Sequence, residues 1–259
     1  MSLTITEFRD EMGIITLDND SKRNSLSSEL IEEIISGLNY FKENDARVAI
    51  LRANKESKVF SAGHDINELA KPGRDPLSYN DPLEQVLRAI EHFPAPVIAM
   101  LNGSVWGGAT ELIFTCDIII ATRKATLALT PARIGVPYNP NGILHFLNML
   151  SISVVKELFY TAQPLSAERA EQLGIINHLV AEEELETYTF ALAEKIKKNA
   201  PLSIAVMKEQ LRLLSKASPL SPETFERIQG LRRTVYDSND YKEGIQAFLE
   251  KREPVFKGN

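Results

Sequence analysis

Two short segments carry residue types that can stabilise negative charge on a bound molecule. The first is Phe60-Ser61-Ala62-Gly63-His64-Asp65-Ile66. Its small residues, Ser61, Ala62 and Gly63, let another molecule approach the backbone closely. Asp65 suits the first turn of a short helix over Ile66–Ala70, where it complements the helix dipole. Backbone N–H groups near His64 are then free to face a ligand. The second segment runs from Asn102 to Glu111 and holds the pair Gly107-Gly108 at the start of an expected helix. Unpaired N–H groups there face outward, and the dipole adds partial positive charge. The spacing matches neither a dinucleotide fingerprint nor a Gly-Lys-Ser/Thr phosphate loop, so a single oxyanion fits better than a pyrophosphate. Two such donors converging on one oxygen would stabilise an enolate or a tetrahedral oxyanion. One donor of this kind is worth about 3–4 kcal/mol of transition-state stabilisation in a known protease.

These turns need a rigid scaffold, and the periodicity supplies one. Leu3–Phe8 and Gly13–Leu17 read as a hairpin. Val48–Leu51, Pro96–Leu101 and Asp117–Ala121 read as short buried strands. Between them lie a helix capped by Ser25 or Ser27 and running to about Asn44, a second over Ser78–Phe93, and a third over Gly107–Phe114. Short apolar strands between helices imply an α/β fold with strands covered on both faces. From Ser151 onward the period is almost entirely helical: Ser166–Leu173, Ala181–Lys198 and Leu202–Ser215. Ser221-Pro222 is a cap and first-turn proline opening a helix to about Asp237. Asp240–Leu249 follows, with Asp240 and Glu243 in capping-box spacing. The division is a core over residues 1–200 and a helical region over 201–259, which can fold back or pack on a neighbouring subunit.

Composition narrows the partners. The 259 residues are 44% hydrophobic and 25% charged, as in ordinary globular chains. A net charge of −6 argues against nucleic acid as a partner. Cys116 is the one cysteine, so no internal disulfide forms; it reads as a small buried hydrophobe. Residues Met1–Asp10 lack a secretory pattern, and the apolar runs are shorter than a membrane span. The expectation is a cytoplasmic protein without a membrane partner. His92, His145 and His178 show no metal-ligand spacing and no clustered partners, and read as structural or surface residues; no metal site is expected.

Together the two turns resemble the enoyl-CoA hydratase/isomerase, or crotonase, superfamily. The matching residues are Ala62-Gly63-His64-Asp65-Ile66, then Asn102–Glu111, then Cys116-Asp117. Lys22-Arg23-Asn24-Ser25-Leu26, Pro96-Val97-Ile98-Ala99, Ala170–Gly174 and Ala200-Pro201-Leu202 add flanking matches. The resemblance implies a spiral of ββα units with a helical C-terminal region. It implies an acyl-CoA thioester as ligand, CoA being part of the substrate and no separate cofactor. It places the thioester oxygen between the N–H groups of His64 and Gly108, with Ala62, Gly63, Asp65, Ile66, Trp106, Gly107 and Pro131 around the substrate. Lys22 and Arg23 become candidates for the CoA phosphates. Homotrimers, paired into hexamers, are the implied assembly.

Departures from that pattern bear on the reaction. Hydratases of the family use two glutamates on water. Glu111 matches the first, but Pro131 stands at the second. Loss of that carboxylate argues against hydration. Gly135–Asn139, with Tyr138, and Val105–Ala109 before Glu111 resemble the decarboxylases of this superfamily, and that resemblance implies decarboxylation of a methylmalonyl or malonyl thioester. That step needs an oxyanion hole and orientation but no base. Tyr138 is expected to bond or orient the leaving carboxylate, Trp106 to form an apolar wall, and Glu111 to protonate the enolate or shape the site. The alternatives are an enoyl-CoA isomerase using Glu111 alone and a silent acyl-CoA-binding protein.

Overall fold

The strands of the computed structural model are β1 Thr4–Arg9, β2 Met12–Leu17, β3 Val48–Ala53, β4 Val59–Ser61, β5 Val97–Leu101, β6 Ser104–Trp106, β7 Ile118–Thr122, β8 Thr126–Ala128, β9 Leu165–Ser166 and β10 His178–Val180. The helices are α1 Ser28–Glu43, α2 Pro82–Glu91, α3 Gly108–Thr115, α4 Pro140–Met149, α5 Ile152–Thr161, α6 Ala167–Gln172, α7 Leu185–Lys197, α8 Pro201–Ser215, α9 Pro222–Tyr236 and α10 Asn239–Glu250. The structure describes residues 2–69, 78–215 and 221–257.

Two sheets form. The larger has the order β1-β2-β3-β5-β7-β10, antiparallel between β1 and β2 and parallel beyond. The smaller has the order β4-β6-β8-β9. Three successive units, β3-β4-α2, β5-β6-α3 and β7-β8-α4, each lay one strand in each sheet before a helix. This is the ββα spiral that the resemblance implied.

Strand side chains alternate between faces, and here both faces are covered. Ile15, Leu17, Ala49, Leu51, Ala99 and Leu101 join the core beneath α1, α2 and α3. Met12, Ile14, Val48, Ile50, Ile98 and Ile120 pack under Leu185 and Ala193 of α7. The apolar runs therefore read as continuous, as expected of buried parallel strands. Ser27 caps α1, its Oγ accepting from the Leu30 N–H at 3.3 Å.

Several boundaries differ from the sequence expectation. Asp81, with Pro82 in the first turn, starts α2 later than Ser78. The turn after Asp65 is a 3-10 helix over Ile66–Glu68, and Ala70 lies outside the described residues. The cap of α10 is Ser238, which accepts from Tyr241 N–H at 3.1 Å; Glu243 instead holds Arg252. Ala181–Lys198 divides into a 3-10 turn, Glu182–Glu184, and α7. Past Ser151, β9 and β10 interrupt the helical series, and β10 extends the large sheet beside β7. The small sheet and α4 were not expected. Strands of two or three residues are too short for a period to register, and α4 opens Pro140-Asn141-Gly142, poor helix formers.

Helices α9 and α10 fold back on their own chain, and Tyr236 and Tyr241 pack with Val136. Gly244 lies against the Ile134 carbonyl, where a Cβ has no room. Lys208 pins α8 to the core through Asp117 Oδ2 at 2.7 Å and the Ala95 carbonyl at 3.0 Å. Leu202, Leu211 and Leu214 of α8 stay exposed, at 81%, 70% and 71%. Among the described residues no helix is long and apolar enough to cross a membrane.

Candidate active site

The turn after β4 is stapled to the loop before α1. Ala62 N–H donates to the Arg23 carbonyl at 2.9 Å, and Asp65 N–H to the Leu26 carbonyl at 3.3 Å. The Gly63 carbonyl accepts from Leu26 N–H at 2.8 Å. Buried Asn24 fixes that loop: its Oδ1 accepts from Asn19 N–H at 2.8 Å and its Nδ2 donates to the Phe60 carbonyl at 3.0 Å. Gly63 has φ +87°, and a side chain there would strike the Trp106 carbonyl. Between these ties the His64 N–H has no acceptor among the described residues.

The second turn meets the first. Gly107, at φ +53°, donates to the Ala128 carbonyl at 2.8 Å and turns the chain into α3. Gly108 is the first residue of α3, so its N–H has no intrahelical partner. A Cβ built on Gly108 would lie 3.6 Å from the His64 nitrogen and 2.8 Å from Leu83 Cδ2. Two unpaired N–H groups thus stand side by side at the positive end of a helix dipole.

They face a cavity of about 720 Å³. It brings together Lys22, Arg23, Ala62, His64, Asp65, Ile66, Trp106, Gly107, Gly108, Pro131 and Tyr138. Lys22 and Arg23 are exposed at its rim. Gly63 supports the wall from behind. Phe248 and Leu249 of α10 close one side, a contribution from far along the chain that no local motif signals.

The His64 imidazole points away from this work. Its Nδ1 faces the Asp65 carbonyl at 3.1 Å and its Nε2 lies 3.5 Å from Asp81 Oδ2. Burial alone would lower its pKa, but the Asp81 carboxylate outweighs burial and the net shift is upward. Asp65 Oδ1 accepts from Asn67 N–H at 3.0 Å, so Asp65 holds its turn.

Glu111 does not line the cavity. Its side chain is fully buried behind Tyr138, whose hydroxyl donates to Glu111 Oε2 at 2.5 Å. A tyrosine hydroxyl has one proton to donate. A hydrogen bond from Tyr138 to a leaving carboxylate therefore requires the hydroxyl to turn away from Glu111. Burial, then the charge and hydrogen bond of Glu111, push the Tyr138 pKa well up, so it keeps its proton.

His145 is the main correction to the sequence reading. Far from lacking partners, its Nδ1 sits 3.1 Å from Glu111 Oε1 and its Nε2 3.2 Å from Glu91 Oε1. Burial opposes its charge, but hydrogen bonds and charge from Glu111 and Glu91 outweigh this and raise its pKa to about 9. Nearby, Glu84 Oε1 accepts from Asn139 Nδ2 at 2.7 Å, and Asn139 Oδ1 caps α4 by accepting from Gly142 N–H at 2.6 Å. Burial and then the Glu111 charge raise the Glu84 carboxyl to about 7. Gly142 makes room for the group, since a Cβ there would lie 2.8 Å from Glu111 Oε1. The legible signal was on α2, where Glu84 and Glu91 stand seven residues apart beside the apolar stripe of Leu83, Leu87 and Ile90. Among the described residues no three His, Cys, Asp or Glu side chains converge as a metal site.

Comparison with known proteins agrees with this fold. The enoyl-CoA hydratase/isomerase family model matches residues 7–259. The methylmalonyl-CoA decarboxylase of Escherichia coli (strain K12) is 50% identical over 250 residues, covering 96% of each chain. A solved methylmalonyl-CoA decarboxylase complexed with 2S-carboxypropyl-CoA has a TM-score of 0.98 at 48% identity, covering 100% of this chain and 99% of that one. A probable mitochondrial enoyl-CoA hydratase of Dictyostelium discoideum is 33% identical over 251 residues, covering 97% of this chain and 89% of that one.

Proposed function

The chain belongs to the enoyl-CoA hydratase/isomerase family, and we propose that within it the protein decarboxylates methylmalonyl-CoA to propionyl-CoA, and malonyl-CoA to acetyl-CoA. The observation that carries this reading is a pair of unpaired N–H groups, His64 and Gly108, facing a cavity with Pro131 where a hydratase needs its second carboxylate. The likeness to a methylmalonyl-CoA decarboxylase supports the same choice.

The thioester oxygen accepts from both N–H groups. The substrate carboxylate leaves perpendicular to the thioester plane, its C–C bond breaks, and the electron pair becomes the enolate. Charge grows on the oxygen held by the two amides, where fixed dipoles act most strongly. Trp106, Val136 and the Tyr138 ring line the same cavity. An apolar wall disfavours the carboxylate anion relative to neutral carbon dioxide. Carbon dioxide departs and the α-carbon takes one proton.

The exposed rim cations Lys22 and Arg23 suit the CoA phosphates. CoA enters as part of the substrate, and oxyanion stabilisation with one proton completes the reaction without a further cofactor. The exposed leucines of α8 suit packing into a homotrimer, with pairing into a hexamer, and the protein is read as cytoplasmic. The isomerase reading is weaker because both oxygens of Glu111 already have partners and Tyr138 stands between Glu111 and the cavity. The test is incubation with malonyl- and enoyl-CoA thioesters. Mass analysis should find carbon dioxide and propionyl-CoA from methylmalonyl-CoA, and no hydrated product from an enoyl-CoA.

A further inference from the structure

Decarboxylation consumes one proton per turnover, and the Tyr138 hydroxyl in the cavity wall can give one per turnover only if it is reloaded. Behind Tyr138, however, side chains lie in unbroken contact. Tyr138 Oη is 2.5 Å from Glu111 Oε2, Glu111 Oε1 is 3.1 Å from His145 Nδ1, and His145 Nε2 is 3.2 Å from Glu91 Oε1. Tyr138 lines the substrate cavity, whereas Glu91 and His145 line a separate cavity of about 430 Å³. Glu111, with no exposed surface, is the partition between the two.

We infer that His145 is a positioning residue that, with Glu91, reloads Glu111 and Tyr138 with the proton that replaces carbon dioxide. The inference rests on the decarboxylase reading. The C–C bond breaks and its electron pair becomes the enolate. The Tyr138 hydroxyl turns from Glu111 and gives its proton to the α-carbon. His145 Nδ1–H protonates the Glu111 carboxylate, and the carboxyl so formed returns a proton to the phenolate oxygen, leaving Glu111 a carboxylate and His145 neutral. His145 recovers a proton from water in the second cavity, beside Glu91. One proton enters and one is consumed, with no oxidant or reductant.

Geometry sets the direction of supply. The substrate cavity is where the reactive enolate forms, and a water-borne proton source there would accompany water that wets the apolar wall. A path through the back keeps the two apart. The charged and titratable groups facing His145 come from several elements. Glu84, Arg88 and Glu91 lie on α2 with His92 at its C-terminal cap, Glu111 lies on α3, and Arg212 on α8 lines the same cavity. The carboxylates on both ring nitrogens keep the imidazole charged up to about pH 9.

The experiment is the pH profile of kcat and KM for carbon dioxide release from methylmalonyl-CoA, on wild type, His145→Gln and Glu91→Gln. In wild type, kcat should fall as the pH rises through about 9, where His145 loses its proton. His145→Gln should lose that limb and lower kcat about ten-fold or more at neutral pH, with KM little changed. Glu91→Gln removes one of the two carboxylates that hold the charge, so its limb should move to lower pH; it stands in if His145→Gln does not fold. A wild-type kcat flat across this range overturns the inference. So does a His145→Gln profile that is lowered uniformly with the limb in place, since that is what a purely structural role gives. Absence of carbon dioxide release from wild type overturns the decarboxylase reading itself; release with an unmoved limb overturns only the relay.

Discussion

The Tyr138 hydroxyl donates to Glu111 Oε2 across 2.5 Å, joining the wall of the substrate cavity to a fully buried carboxylate. Tyr138 therefore faces the cavity with its ring and Glu111 with its proton. Tyr138→Phe keeps the ring and removes the proton. Carbon dioxide release should fall about a hundred-fold in kcat, the lower end for a lost general acid, while KM changes little. The unpaired Glu111 oxygen should also cost about 1–3 kcal/mol of stability. Steady-state kinetics and urea unfolding measure the two effects; an unchanged kcat would remove Tyr138 from the chemistry.

The proposed oxyanion donors are backbone groups, and this separates two neighbouring substitutions. Gly63→Ala puts a Cβ against the Trp106 carbonyl at a positive φ, so the turn must shift and carry the His64 N–H with it. Activity should drop about 10²–10³-fold, the loss typical of one misplaced donor. His64→Ala keeps the N–H and removes only the imidazole near Asp81. It should stay within about ten-fold of wild type on the same scale. The reverse order in kcat/KM would assign the chemistry to the imidazole.

Stability should decline with pH in two windows. Glu84, raised from 4.5 to about 7, keeps a proton in the folded chain that the unfolded chain has already lost. Stability therefore falls between about pH 4.5 and 7. His145, raised from 6.5 to about 9, stabilises the fold through its charged form. That contribution is full below pH 6.5 and is lost as pH rises through about 9. At about 1.4 kcal/mol per pKa unit, each group is worth on the order of 3–4 kcal/mol, and the two do not add because both face Glu111. Denaturant midpoints across this range should lose the upper decline in His145→Gln and the lower one in Glu84→Gln. A wild-type midpoint that rises with pH would contradict both signs.

The sequence made the two glycine turns legible because each is local. Gly63, Gly107 and Gly108 sit where the backbone itself demands glycine or leaves an N–H unpaired, although β4 and β6, the short strands leading into the two turns, were not legible. Pro131 in place of a carboxylate was legible for the same reason, as one position in a short run. His145 was not. It reaches Glu111 only because α4, opened by Asn139 and Pro140, crosses behind α3, and Glu91 arrives from α2. Three elements converge there, and nothing in the spacing from Glu91 to Glu111 to His145 records the meeting. The C-terminal wall of Phe248 and Leu249 was hidden likewise, since an amphipathic helix does not disclose which surface it will cover.

The most direct test of the account is the product formed from methylmalonyl-CoA by the purified protein, with an enoyl-CoA run in parallel. The account predicts equal amounts of carbon dioxide and propionyl-CoA from the first and no hydrated thioester from the second. Hydration of the enoyl-CoA with no carbon dioxide from methylmalonyl-CoA would contradict it.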